Sequence, residues 1–187
     1  MINFFNRRLW AFATLALLGG AAPARAEVIL TPFYGAAFGG STDSSRTSYG
    51  GALGFLGGGV FGFEGEFSYI KDFAGDAPSG ALESNKVQSL SANLMVAMPS
   101  GQVRVYGTAG VSLLRPDLKV RDGFVVVNED KFGYNLGGGL MIFFSDHVGL
   151  RGDIRYFRAF GDLAGGEQIS LGTLDYWRGV GGLTLKF

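Results

Sequence analysis

From residue 27 onward hydrophobic side chains recur at every second position, and most charged side chains inside these stretches fall on the alternate positions, whereas Lys86 and Arg158 share the apolar parity near the outer ends of their strands. A period of two is the side-chain period of a β-strand, whereas a helix would repeat every 3.6 residues. The last stretch shows it plainly. Trp177, Leu183, Leu185 and Phe187 share a parity with Gly179 and Gly181, and Tyr176, Arg178, Val180, Gly182, Thr184 and Lys186 occupy the other. Over 60–70, Phe61, Phe63, Gly65, Phe67 and Tyr69 oppose Gly62, Glu64, Glu66 and Ser68. Over 148–160, Val148, Leu150, Gly152, Ile154 and Tyr156 oppose Gly149, Arg151, Asp153, Arg155 and Phe157. Segments 27–38, 49–56, 86–98, 103–114 and 131–144 bring the predicted strands to eight.

The first 26 residues follow a different rule. Arg7 and Arg8 precede an apolar run from Leu9 to Leu18, and Ala24-Arg25-Ala26 forms a small-x-small cleavage site, the pattern of a secretory signal. The run is far short of the roughly 20 residues that a membrane-spanning helix needs. Two domains are expected: a signal peptide over 1–26, cleaved between Ala26 and Glu27, and a barrel over 27–187. The whole chain is neutral, with 16 basic and 16 acidic residues. Cleavage removes Arg7, Arg8 and Arg25, leaving 13 basic residues and a formal charge of −3.

Composition then closes off several functions. With no cysteine and one histidine, thiolate or His-pair metal centres and cysteine nucleophiles are excluded. Near-neutral charge without a basic run gives no field for nucleic acid. No cofactor or metal is expected. Gly57-x-Gly59-x-x-Gly62 matches a dinucleotide fingerprint in form, but it leads into a strand with no helix to receive a pyrophosphate. The 32 glycines show no collagen period and lie on both faces of the strands, where they leave a narrow lumen room for long side chains and let strands curve.

Connection length separates the remaining architectures. Long connections at 39–48, 71–85, 115–130 and 161–173 alternate strictly with short ones at 57–59, 99–102 and 145–147. An up-and-down barrel puts every long loop at one end and every short turn, with both termini, at the other, as in bacterial outer-membrane barrels. A soluble lipocalin-type barrel also alternates, but it gains nothing from loops segregated by length. The terminal Phe187 on an amphipathic strand, Phe61-Gly-Phe-Glu-Gly-Glu-Phe-Ser-Tyr69, Tyr106-Gly-Thr-Ala-Gly-Val111, and Phe132-Gly-Tyr-Asn-Leu-Gly-Gly-Gly-Leu140 with Leu150-Arg-Gly-Asp-Ile-Arg-Tyr156 together resemble the outer-membrane β-barrel domain family of small porin-like proteins of Gram-negative bacteria. The resemblance implies an all-β, eight-stranded antiparallel up-and-down transmembrane β-barrel in the cell outer membrane. It also implies that Trp177, Leu183, Leu185 and Phe187 form the signal read by the barrel-assembly machinery.

The inward charges are Glu64, Glu66, Arg104, Arg151, Asp153, Arg155 and Arg178. Glu64 and Glu66 share a side and offer an acid/base pair. An eight-stranded lumen is filled by side chains, however, and an unpaired carboxylate there is costly, so a structural salt-bridge network that plugs the lumen is expected. Ser145-Asp146-His147 contains triad residue types, but neighbours in one turn cannot place the base between nucleophile and acid, and turn capping is expected instead. Pro32 lacks an N–H and should sit near the turn end or at a bulge. Loop 115–130 carries Arg115, Lys119, Arg121, Glu129 and Asp130, and its apolar stretch from Phe124 to Val127 either extends the hairpin above the membrane as an edge for a partner or folds on itself. Arg158 and Lys86 reach lipopolysaccharide phosphates or stand as rim charges in water.

The expected protein is a monomeric, non-enzymatic barrel with a structural and surface-interaction role, its long loops extracellular and its partners the outer-membrane lipids and lipopolysaccharide. The alternative is a narrow porin-like channel for small or apolar solutes. Intact-mass measurement of the purified protein should give a chain beginning at Glu27. A mass that retains residues 1–26 would contradict the cleavage reading.

Overall fold

The computed structural model describes residues 26–73, 82–120, 125–127, 130–165 and 169–187. Of the sequence expectations, residues 1–25 of the signal peptide with Ala24, parts of loops 71–85, 115–130 and 161–173, and Arg121, Phe124 and Glu129 lie outside these residues, while Ala26 opens the first strand. Among the described residues nine strands run in order: β1 (Ala26–Gly39), β2 (Thr42–Gly57), β3 (Phe61–Lys71), β4 (Leu82–Ser100), β5 (Val103–Val120), β6 (Val125–Val127), β7 (Lys131–Phe143), β8 (Val148–Gly165) and β9 (Ile169–Lys186). Eight of them pair antiparallel with their neighbours, and β1 pairs with β9, so the sheet closes into an eight-stranded barrel. The short β6 adds to β5 through Leu118 and Lys119.

The barrel is inside-out relative to a water-soluble protein. On β3 and its partner β4, Phe63 and Leu94 stand opposite each other at 68% and 59% exposure, while the next pair, Glu64 and Asn93, is 2% and 3% exposed. The same alternation runs through β1, β7 and β8. Such a surface is stable where the surrounding solvent is hydrocarbon, and closure leaves no strand edge unsatisfied there. Aromatic residues border the apolar band. Tyr49 packs on Tyr69 and Tyr156 on Trp177, each pair with ring centroids 5.2 Å apart, near the end formed by the long hairpins. Phe61, Phe144 and Phe187 are exposed near the end that carries the short turns.

The strands overrun the loops expected from the sequence. Connection 39–48 is not a ten-residue loop: β1 and β2 zip up to the Gly39↔Thr42 pair, with an irregularity between Ala37 and Gly39. Likewise β5 continues to Val120, β8 reaches Gly165 and β9 starts at Ile169, within the expected loops 115–130 and 161–173. Outside hydrocarbon neither face of a strand must be apolar, so hydrophobic alternation ends while the backbone ladder continues. Val125–Val127 pairs back onto Leu118 and Lys119 of β5, so the described part of the apolar stretch folds back on its own hairpin.

Pro32 lies neither at the end of the barrel nor at a bulge. Val28 and Phe187 exchange both main-chain hydrogen bonds, so strand periodicity turns the backbone of Pro32 toward β9 as well. There the ladder skips from Leu30↔Leu185 to Phe33↔Gly182 without a change of register. Within this gap the Thr31 and Thr184 hydroxyls meet at 3.1 Å in the lumen and bridge the two strands through side chains. On β7, two strands from β9, Gly137 and Gly139 allow a close approach: a Cβ at either would collide with the backbone of β8 and with Arg155 or Tyr106. Gly65 faces outward with no atom in reach. Gly139→Ala should therefore lower the unfolding free energy by about 2 kcal/mol or more, as overpacking does, whereas Gly65→Ala should leave it within about 0.5 kcal/mol or raise it. Urea unfolding in lipid vesicles checks this contrast.

Candidate functional site

Three layers fill the lumen. At the turn end Ile29, Leu56, Met95, Ala97, Tyr106, Met141 and Phe143 form an apolar layer. At the hairpin end Ala37, Ile70, Phe73, Val87, Leu114, Phe157, Ala159, Leu174 and Tyr176 form a second. Between them lies a belt of ionised side chains.

The belt is built by β3, β8 and β9. Glu64 and Glu66, two apart on β3, project into the lumen at successive levels, and Arg151, Asp153 and Arg155 do the same on β8. Arg151 Nη1 lies 2.6 Å from Glu64 and Arg155 Nη2 lies 2.8 Å from it. Arg155 Nη1 reaches Glu66 at 3.0 Å. Arg178, from β9, grips Glu66 with both terminal nitrogens, at 2.7 and 2.8 Å. Asp153 sits 3.1 Å from both Arg151 and Arg155. Three guanidinium groups thus face three carboxylates, and the belt is neutral. Each of these side chains is at most 4% exposed. Bidentate pairing suits the planar guanidinium and offsets the desolvation that burial imposes.

Uncharged groups complete the belt. Tyr106 donates to Asp153 at 2.7 Å and accepts from Arg151 Nε at 2.7 Å. Asn93 donates to Glu64 at 3.2 Å, and Asn135 donates to Asn93 at 2.7 Å and to Ser112 at 3.0 Å. Hydroxyl pairs Ser68/Ser89 and Ser91/Ser112, at 2.7 and 2.9 Å, line the wall facing the charges. Small polar residues on β3, β4 and β5 leave the cross-section to the long side chains of β8 and β9. The guanidinium groups of Arg151 and Arg178 also lie over rings, on Tyr106 at 4.6 Å and on Phe33 and Phe157 at 4.8 and 4.9 Å.

Arg104 is buried but stands apart from this belt. It binds Glu27 at 2.6 Å near the turn end, where Lys186 Nζ is 3.8 Å from the same carboxylate. Arg104 and Lys186 both lie over Phe143, beside an open cavity of about 360 Å³. Sequence reasoning passed over Glu27, Tyr106, Asn93 and Asn135, although all four carry the lumen parity of their strands. The available signal was a polar atom on the inward face, whatever its charge. Trp177, Leu183 and Phe187 are exposed on the outer face and Leu185 is half-buried there. The Ser145 hydroxyl accepts from the His147 and Val148 amides at 3.3 and 3.1 Å and so caps its turn. On the outer face beyond the apolar band, Arg115 grips Asp130 at 2.6 and 2.7 Å and holds its carboxyl below the usual aspartate range.

Comparison with known proteins gives the same architecture. Residues 12–176 match the family described as outer membrane protein beta-barrel domain. The chain belongs to this family. A 22 kDa outer membrane protein of Rhizobium leguminosarum bv. viciae is 30% identical over 97 residues, which is 52% of this chain and 44% of that protein. The chain thus spans less than half the length of this curated relative in the match. Neisserial surface protein A superposes with a TM-score of 0.65 at 19% identity, covering 87% of this chain and 97% of the other. The N-terminal β-barrel domain of Pseudomonas aeruginosa OprF gives 0.60 at 14% identity, over 86% and 97%. Identities this low report a shared fold. The protein is an outer-membrane β-barrel protein.

Removal of one partner from a buried charge pair strands the other. Glu64→Gln should cost about 3–5 kcal/mol of unfolding free energy. Asp130→Asn, which breaks an exposed pair, should cost under about 1 kcal/mol. Equilibrium unfolding of both variants in the same vesicles distinguishes buried from exposed pairing.

Proposed function

We propose that this protein is a monomeric, non-enzymatic surface barrel of the outer membrane whose lumen is closed to solutes. One observation carries the reading: the ion-paired belt lies between two apolar layers, and the space among Thr31, Phe33, Glu66, Arg151, Asp153 and Val180 leaves no room for a water molecule. A solute would have to break several buried ion pairs to pass. The alternating lengths of the connections favour an orientation with both termini and the short turns in the periplasm and the β1–β2, β3–β4, β5–β7 and β8–β9 hairpins outside. There the hairpins are available to surface ligands and to lipopolysaccharide, with Arg158 exposed on the outer face near the aromatic border. The outer-face residues Trp177, Leu183, Leu185 and Phe187 are accessible to the barrel-assembly machinery before the barrel closes.

Planar-bilayer recording tests the closed lumen. The unmodified protein should give no steady unitary current, and a variant in which Glu66, Arg155 and Arg178 are all replaced by alanine should conduct. A reproducible conductance from the unmodified protein would overturn the reading in favour of a narrow channel.

A further inference from the structure

At its short turns the barrel carries charges that the belt does not balance. Arg104 of β5 and Lys186 of β9 both line the open cavity of about 360 Å³ there, and both lie over the ring of Phe143. Among the described residues Glu27 is the one acid in contact with them, and it meets them unequally. Arg104 Nη1 is hydrogen-bonded to it at 2.6 Å, whereas Lys186 Nζ stands at 3.8 Å, beyond hydrogen-bonding distance. Arg104 is 8% exposed, and its buried Nε–H has no acceptor among the described residues. A guanidinium carries five N–H bonds and an ammonium three, more than a single carboxylate satisfies.

The surroundings set the sign of what the cavity holds. The apolar layer that includes Ile29, Leu56, Met95 and Met141 lies between this end and the acids of the belt, which are in any case matched one for one by the belt's own guanidinium groups. Gly59, in the β2–β3 turn, backs onto the Arg104–Glu27 pair: a Cβ there would lie 3.3 Å from Arg104 Nη2 and 3.8 Å from the Glu27 carboxylate. Across the cavity the Ser145 hydroxyl, which accepts from two amides of its turn, retains its own hydrogen to donate. Gln102 lines the cavity from the β4–β5 turn, and Asp146 lines it at the exposed rim, where solvent screens its charge. Inside the rim two cations therefore face one acid, and donors outnumber acceptors.

We infer that the turn-end cavity is a binding site for an organic carboxylate held by Arg104 and Lys186. The planar guanidinium matches a carboxylate in fork geometry. At about 30 Å³ for each water-sized group the cavity has room for on the order of ten non-hydrogen atoms, more than a bare inorganic anion fills. Two sources share this chemistry, a free short-chain acid and the C-terminal end of a peptide. Glu27 is the internal competitor, because an incoming carboxylate shares Arg104 with it or displaces it. The site requires neither a closed lumen nor a particular orientation in the membrane, so it stands or falls separately from the function proposed above.

The test uses the full folded protein in lipid nanodiscs at fixed ionic strength. Proton–nitrogen NMR follows the Arg104 Nε–H resonance, assigned by its loss in Arg104→Lys, during titration with propionate, N-acetyl-dialanine or the C-terminal amide of that dipeptide. Both carboxylates should shift the resonance saturably, and the amide should not. Lys186→Gln should weaken carboxylate binding several-fold. Glu27→Ala should tighten it by about tenfold, the weight of one charge-assisted hydrogen bond, and Asp146→Asn should tighten it slightly. Loss of a merely structural ion pair would not tighten binding. If neither carboxylate shifts the resonance, or if the amide binds as well as the acid, the carboxylate site is overturned. Folded Glu27→Ala that binds no more tightly than the unmodified protein overturns it too. Should Glu27→Ala not assemble, the opposite responses of Lys186→Gln and Asp146→Asn decide. Tighter binding of the acetylated dipeptide than of propionate assigns the site to peptide ends, and the reverse assigns it to free acids.

Discussion

Everything inside this barrel is arranged around the pairing of Glu66 with Arg155 and Arg178. Closing eight strands leaves an interior only wide enough for side chains, and a charge placed there without a partner is prohibitively expensive. The belt meets that constraint with three guanidinium groups and three carboxylates in mutual contact. Its size then dictates its surroundings. Serine and asparagine line the opposing wall, and Gly137 and Gly139 give β8 the approach its long side chains need. The apolar layers above and below keep the ion pairs away from water, which strengthens them.

The outer surface obeys the opposite rule. Lipid requires an unbroken apolar band and a backbone whose hydrogen bonds are made internally, and the closed antiparallel ladder meets both demands along nearly all of its described length. Where the ladder is interrupted at Pro32, the Thr31 and Thr184 hydroxyls bridge the seam from the lumen side. The two rules share each strand residue by residue. A one-residue slip would drive Glu64 and Glu66 into hydrocarbon and Phe63 into the belt, so register is strongly specified throughout the apolar band.

This sharing explains what could be read in the sequence. The alternation Phe63-Glu64-Gly65-Glu66-Phe67 states which side faces lipid, and the eight-stranded barrel follows from its recurrence. The ends of the strands were not legible. Thr42 to Ser48 lacks the apolar alternation, yet Thr42 and Arg46 to Ser48 pair with β1, because outside the membrane hydrogen bonding continues without a hydrophobic pattern. Parity places Arg104 in the lumen but does not give its height, and height is what separates it from Glu64 and joins it to Glu27. Phe73 was invisible for another reason. It is positioned by one residue's left-handed backbone at Asp72, a tertiary effect that no periodicity carries.

The central claim is that buried ion pairing in the belt is a coupled interaction rather than a set of tolerated charges. A double-mutant cycle on Glu66 and Arg178, using Glu66→Gln, Arg178→Gln and the double variant, measures that coupling by urea unfolding in vesicles. The account predicts a coupling energy of about 2 kcal/mol or more, with the double variant losing much less stability than the two single losses combined. Additive losses, with coupling within about 0.5 kcal/mol of zero, would contradict it.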